Sequence, residues 1–113
     1  MIKVSVFLTR REDVSLAHFS TYWKEHHWPL LLSQPEVKDN TRHYTQVHRL
    51  PEGLPGVPTA PYDGIAEIWV DDLAGVAAIF TSDNYNNIIV PDEATFIDRS
   101  KTLLMFSTEN KVL

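Results

Sequence analysis

The chain contains no cysteine, and this absence removes several classes of site. Without cysteine there is no disulfide framework, no thiolate metal centre and no cysteine nucleophile. The sequence also lacks an apolar run of membrane-spanning length, and it lacks an N-terminal stretch with the basic-then-apolar order of a secretion signal. We therefore expect a soluble, cytoplasmic protein with no membrane partner.

Positive charge is scarce and nowhere concentrated. The 113 residues include 10 Lys and Arg against 15 Asp and Glu, which gives a formal net charge of -5. A nucleic-acid-binding protein needs a basic face to neutralise phosphates, so we expect no nucleic-acid partner. The length indicates a single domain, residues 1–113, able to bury roughly two-thirds of the surface of its unfolded chain.

Metal-ligand spacing is absent as well. His26 and His27 are adjacent, so both cannot point at one centre, and no His-x-x-x-His pair or carboxylate triad completes a site. We expect no metal.

The rest of the chain is organised around the stretch from Ser15 to Leu32. Ser15 is a good N-cap, and Pro29 predicts that the regular helix ends just before it. Along this stretch, apolar side chains recur at helical spacing and predict a face turned to the core: Leu16, Phe19, Trp23 and Leu30. His26 and His27 lie at the end of this face, where a titratable group can meet a buried ligand.

Four alternating or apolar stretches predict strands: residues 2–9, 41–50, 64–70 and 102–108. Leu73–Phe80 predicts a second helix, and Pro91 is expected to end any continuation of it. We expect an irregular connection over 33–41 and a stiff, proline-rich loop over 51–62, which is either a lid, a dimer contact or a plain hairpin extension.

The resulting order, βαββαβ, predicts an α+β ferredoxin-like fold in which a four-stranded antiparallel sheet carries its helices on one face. So short a chain has nothing left to cover the opposite face. We therefore expect a homodimer formed through the open sheet face.

Four motifs can now be taken together: Trp23-x-x-x-His27-x-Pro29, Tyr44-x-Gln46-x-His48, Tyr62-Asp63-Gly64 with Glu67, and Asp92-Glu93-x-x-Phe96-x-Asp98. In this order they resemble the EthD family of dimeric α+β barrel proteins. The resemblance implies protomers joined sheet to sheet, each with a ligand cavity between its sheet and helices. The Tyr-x-Gln-x-His strand is similar to a branch described as decarboxylases of carboxylated keto- or phenol-bearing rings in aromatic polyketide pathways.

Helix geometry alone does not choose between His26 and His27, but the motif match selects His27. We expect His27 to be the proton donor, with His48 and Tyr44 polarising a neighbouring oxygen of the substrate. The residues expected to bind substrate are Trp23, Gln46, Tyr22, Ile68 and Phe96. The ring of such a substrate accepts the electrons, so no cofactor is needed.

These expectations describe a cofactor-independent lyase for a hydrophobic keto or phenolic acid. The alternatives are a cofactor-free monooxygenase, cyclase or isomerase using the same cavity, or a non-catalytic ligand-binding or accessory protein of a degradation pathway. Four motif carboxylates are expected mainly in structural roles, with orientation of a histidine by one of them as the alternative: Asp63, Glu67, Asp92 and Asp98.

Overall fold

Four strands pair into one antiparallel sheet. The computed structural model describes all 113 residues. The strands are β1 (Ile2–Leu8), β2 (His43–His48), β3 (Gly64–Val70) and β4 (Leu103–Ser107). They lie in the order β2-β3-β1-β4, so that β1 and β3 are central. The predicted ferredoxin-like α+β fold is thereby confirmed.

The helical segments are α1 (Leu16–Tyr22), α2 (Trp28–Leu32), α3 (Pro35–Asn40), α4 (Leu73–Phe80) and α5 (Val90–Glu93). A π-helical turn, Trp23–His27, joins α1 to α2, and a second one, Tyr85–Ile89, precedes α5. A 3-10 turn covers Arg99–Lys101. The predicted N-cap is present, because the Ser15 hydroxyl accepts the amide of His18 at 3.1 Å.

The helices do not end at the two prolines, contrary to expectation. In the first π turn the amide of Trp28 donates to the carbonyl of Trp23, five residues back. Pro29 then lies in the first turn of α2, where its missing N–H is not required. Pro91 follows the second π turn in the same way. The stretch 33–41 also differs from expectation, since it contains α3.

The core lies between the sheet and the helices. The inward side chains of the central strands are buried: Val4, Val6, Leu8, Ala66, Ile68 and Val70. Trp23, Phe19 and Phe96 are the largest side chains packed fully inside. Each strand presents these residues at alternate positions, as the period-2 pattern of the sequence predicts.

The opposite face of the sheet is open. There Lys3 Nζ lies 2.7 Å from Glu67 Oε2 and 5.5 Å from the centre of the Trp69 ring. Leu103 and Met105 of β4 lie on this face and are 57% and 50% exposed. No helix is both long enough and apolar enough to cross a membrane.

Candidate active site

His27 is the buried histidine of the first helical segment. It lies at the end of the π turn and is 4% exposed, whereas His26 is exposed and packs against the ring of Tyr22 with centroids 5.2 Å apart. The structure therefore places the histidine selected by the motif inside the protein, and its neighbour outside.

Asp92 fixes the orientation of His27. Its Oδ2 lies 2.6 Å from His27 Nδ1, and its Oδ1 accepts the hydroxyl of Tyr22 at 2.5 Å. A carboxylate only accepts, so Nδ1 carries the hydrogen and Nε2 of the neutral ring keeps a free lone pair. Nε2 makes no hydrogen bond to the protein.

Tyr22 accordingly contacts Asp92, not the cavity where we expected it to bind substrate. The hydrogen bond to the Asp92 carboxylate, with partial burial, raises the pKa of the Tyr22 phenol. The orientation of a histidine by one of the motif carboxylates was an alternative at the sequence level, and the structure identifies that carboxylate as Asp92, which meets His27 across 65 residues of chain.

His27 opens on a small apolar cavity of about 30 Å³ between the sheet and the helices. Apolar side chains form most of its lining, among them Trp23, Leu31, Ile68, Ile79 and Ile97. The other polar lining residues are Tyr44, Tyr85 and Glu93. A cavity of this size holds about one or two water molecules, so a ring-sized ligand requires the lining side chains to move apart.

Tyr44 brings a phenol to this cavity from β2. Its hydroxyl oxygen accepts Gln46 Nε2 at 3.3 Å, and its ring stacks on Trp28 with centroids 5.9 Å apart. Burial raises the pKa of the Tyr44 phenol. Its hydroxyl hydrogen has no protein acceptor and is free to donate to a ligand.

His48 does not reach the cavity, although it shares the inward side of β2 with Tyr44 and Gln46. The ring of Trp23 packs against it with centroids 4.6 Å apart, and its Nδ1 lies 3.1 Å from Ser20 Oγ. His48 lines a polar surface groove together with Gln46. Partial burial, aided by the positive charge of Lys24, lowers the pKa of His48. The expected convergence of His27, Tyr44 and His48 on one cavity is therefore not found for His48.

Of the residues expected to bind substrate, some line the cavity and others do not. Trp23 and Ile68 line the cavity, whereas Gln46 lies in the groove with its Nε2 donating to the Trp23 carbonyl at 3.2 Å. Phe96 is fully buried behind His27, with ring centroids 5.1 Å apart, and does not line the cavity.

Two polar residues that line the cavity, Tyr85 and Glu93, were not predicted as site residues from the sequence. The Tyr85 hydroxyl donates to Glu93 Oε2 at 2.9 Å. Burial raises the pKa of both side chains. Glu93 belongs to the same sequence motif as Asp92. The two residues are neighbours on α5, so their side chains leave the helix in directions about 100° apart, and the motif alone does not show which of them faces the cavity.

The remaining motif carboxylates make structural contacts. Asp63 is buried and accepts the Arg10 amide at 2.8 Å and its guanidinium at 2.6 Å. Asp98 accepts the Ser100 amide at 3.1 Å. No group of three His, Asp or Glu side chains is close enough to hold a metal ion.

Comparison with known proteins gives matches along most of the chain. A family model described as "EthD domain" matches residues 11–100. No curated protein sequence matches the chain significantly.

Several solved structures share the fold. An EthD-like protein from Ralstonia eutropha JMP134 is 20% identical, with a TM-score of 0.73 over 99% of this chain and 94% of that chain. An EthD family protein from Bacillus halodurans C-125 is 19% identical, with a TM-score of 0.70 over 97% and 99%. A dimeric ferredoxin-like protein of unknown function from Thermobifida fusca YX is 13% identical, with a TM-score of 0.63 over 96% and 90%.

Proposed function

The chain belongs to the EthD domain family, and on that premise we propose that it is a cofactor-independent lyase of the decarboxylase type. The substrate is an aromatic or polyketide-like keto or phenolic acid bound in the apolar cavity. One observation carries this proposal: the ring of His27, held at Nδ1 by Asp92, lines the same apolar cavity as the side chain of Tyr44.

The chemistry follows from these groups. Apolar lining weakens solvation of the substrate carboxylate, which favours its loss. The bond to the carboxylate breaks, CO₂ leaves, and the electron pair moves into the ring as an enolate. Tyr44 donates a hydrogen bond to the enolate oxygen. The imidazolium of His27 then gives its Nε2 proton to carbon, and solvent restores that proton.

Asp92 supports this step by stabilising the imidazolium that must form before proton donation. His48 has no part in it, because His48 lies outside the cavity.

The test is CO₂ release from a panel of β-keto and phenolic acids by the parent protein and three variants. We expect His27→Gln to lower the rate about 10²- to 10⁴-fold, the usual contribution of a positioned acid–base group. Asp92→Asn and Tyr44→Phe should lower it less. The matched control is His26→Gln, on the exposed side of the same turn, and its rate should stay within about twofold of the parent. An unchanged rate for His27→Gln would exclude this mechanism.

One observation favours a second candidate. No lysine or arginine lines the cavity, so no fixed cation meets a substrate carboxylate there. Proton transfer on an uncharged phenol or enol, by a cofactor-free monooxygenase, cyclase or isomerase, would use the same His27 and Tyr44. Oxygen consumption identifies the monooxygenase, and an unchanged product mass identifies the isomerase.

We also propose that the working unit is a homodimer of this single-domain chain, joined through the open sheet face. The exposed apolar side chains of Leu103 and Met105 on this face support the proposal, as does the dimeric state named for the Thermobifida fusca protein of the same fold.

A further inference from the structure

The cavity holds an ionisable group that the proposed step does not use. Glu93 lies on α5 directly after Asp92, its side chain is 13% exposed, and it lines the cavity together with His27. Neighbouring helical residues point about 100° apart. Asp92 therefore meets the Nδ1 edge of His27 while Glu93 turns into the cavity.

The surroundings of Glu93 are mixed in charge. Its titratable and charged neighbours come from every element packed against it: Tyr85, Arg99, His27, Asp92 and Tyr44. Burial dominates and raises the pKa of Glu93, although the Tyr85 hydrogen bond and the charges of His27 and Arg99 oppose the rise. Arg99 is half-exposed, with Nε 3.5 Å from Glu93 Oε1, so solvent weakens its effect.

We propose that Glu93 and His27 act as a coupled acid–base pair on this one cavity, Glu93 serving the substrate oxygen and His27 the substrate carbon. The inference rests on the proposed function and deepens it. The pairing restricts the substrate class to compounds in which the carbon bearing the carbonyl or phenol oxygen is bonded directly to the carbon that is protonated.

The proposed decarboxylation step balances in protons and electrons. As CO₂ leaves, the electron pair moves to the substrate oxygen, which takes the Glu93 proton and becomes an enol. His27 then protonates carbon while the enol proton returns to Glu93. The net change is one proton taken from solvent through His27, and no oxidant or reductant is required.

The first experiment needs no substrate. Carboxyl ¹³C NMR of the parent protein should show Glu93 titrating above about 4.3, the ordinary Glu pKa, with Glu93→Gln assigning the signal. His27→Gln should raise the pKa of Glu93, because that change removes a charge that favours the Glu93 carboxylate. Tyr85→Phe should raise the pKa of Glu93 further, because that change removes a donor to its charged form.

The matched control is Glu25→Gln, an exposed glutamate on the same π turn as His27, which should leave the titration of Glu93 unchanged. A Glu93 that titrates at the ordinary value in the parent, and at the same value in His27→Gln, would overturn the pairing. That result needs no turnover, so it is distinct from failure of the proposed reaction.

The second experiment uses any substrate that the parent decarboxylates. We expect Glu93→Gln to lower kcat about tenfold or more with KM nearly unchanged, because glutamine keeps a hydrogen-bond donor but cannot pass its proton. Full activity of Glu93→Gln, in a protein where His27→Gln is inactive, would overturn the role of Glu93 and leave the proposed function standing.

Discussion

Trp23 forms one wall of the cavity, and it fits there because residue 64 has no side chain. A Cβ at Gly64 would lie 2.6 Å from Trp23 Cζ3 and 3.2 Å from the Val47 carbonyl oxygen. Trp23 is 1% exposed and is held on its other side by Phe19, with ring centroids 5.6 Å apart. The close approach of the backbone to the ring therefore requires glycine.

At this scale we predict that Gly64→Ala destabilises the protein. Overpacking against a buried ring should lower the free energy of unfolding by about 1–3 kcal/mol, measured by urea denaturation. Gly75→Ala is the control, because the nearest atom to its added Cβ is 3.5 Å away and its place in α4 favours alanine. A Gly64→Ala protein as stable as the parent would show that Trp23 can shift at no cost.

At the scale of the element, the two π turns have the same structural role in the two halves of the fold. Each begins at a buried aromatic residue, Trp23 or Tyr85, and each is followed after one residue by a proline, Pro29 or Pro91. The five-residue hydrogen bond lets a proline continue the helical path without a missing bond. The first turn also carries His27 into the core.

We predict that Pro29→Ala changes stability little. In an ordinary helix interior, replacing proline by alanine would add about 3 kcal/mol to the free energy of unfolding. Here we expect the free energy of unfolding to fall by about 0.4–1 kcal/mol. Alanine gives the unfolded chain more conformational freedom than proline does, while the folded chain gains no hydrogen bond. Urea denaturation measures the change, and Pro91→Ala should behave alike. A gain of about 2 kcal/mol or more would contradict this account.

At the scale of the whole molecule, the sheet has one open face on which no helix packs. Ser5, Met105 and Glu67 lie opposite one another across three strands and so share this face. Met105 is 50% exposed, and a charge placed there would remain unpaired in a sheet-to-sheet interface.

We predict that the parent protein has twice the 12.9 kDa mass of one chain in solution and that Met105→Lys shifts it to the monomer. Light scattering coupled to size exclusion measures both. The control is Leu73→Lys, a change at a 62% exposed residue of α4 in the helical layer, which should leave the dimer intact. A monomeric parent, or a dimeric Met105→Lys protein, would place the contact elsewhere or remove it.

The sequence by itself determined the order of the four strands and the two main helical regions along the chain, the inward faces of β1 and β3, and the cap at Ser15. These are local properties, because the period of the apolar pattern and the chemistry of a capping hydroxyl act within a few residues. Only the tertiary structure decided that Asp92 meets His27, that Trp23 separates His48 from the cavity, and that the cavity is small. Spacing along a chain sets the direction of a side chain, whereas its distance from a side chain on another element depends on how the elements pack.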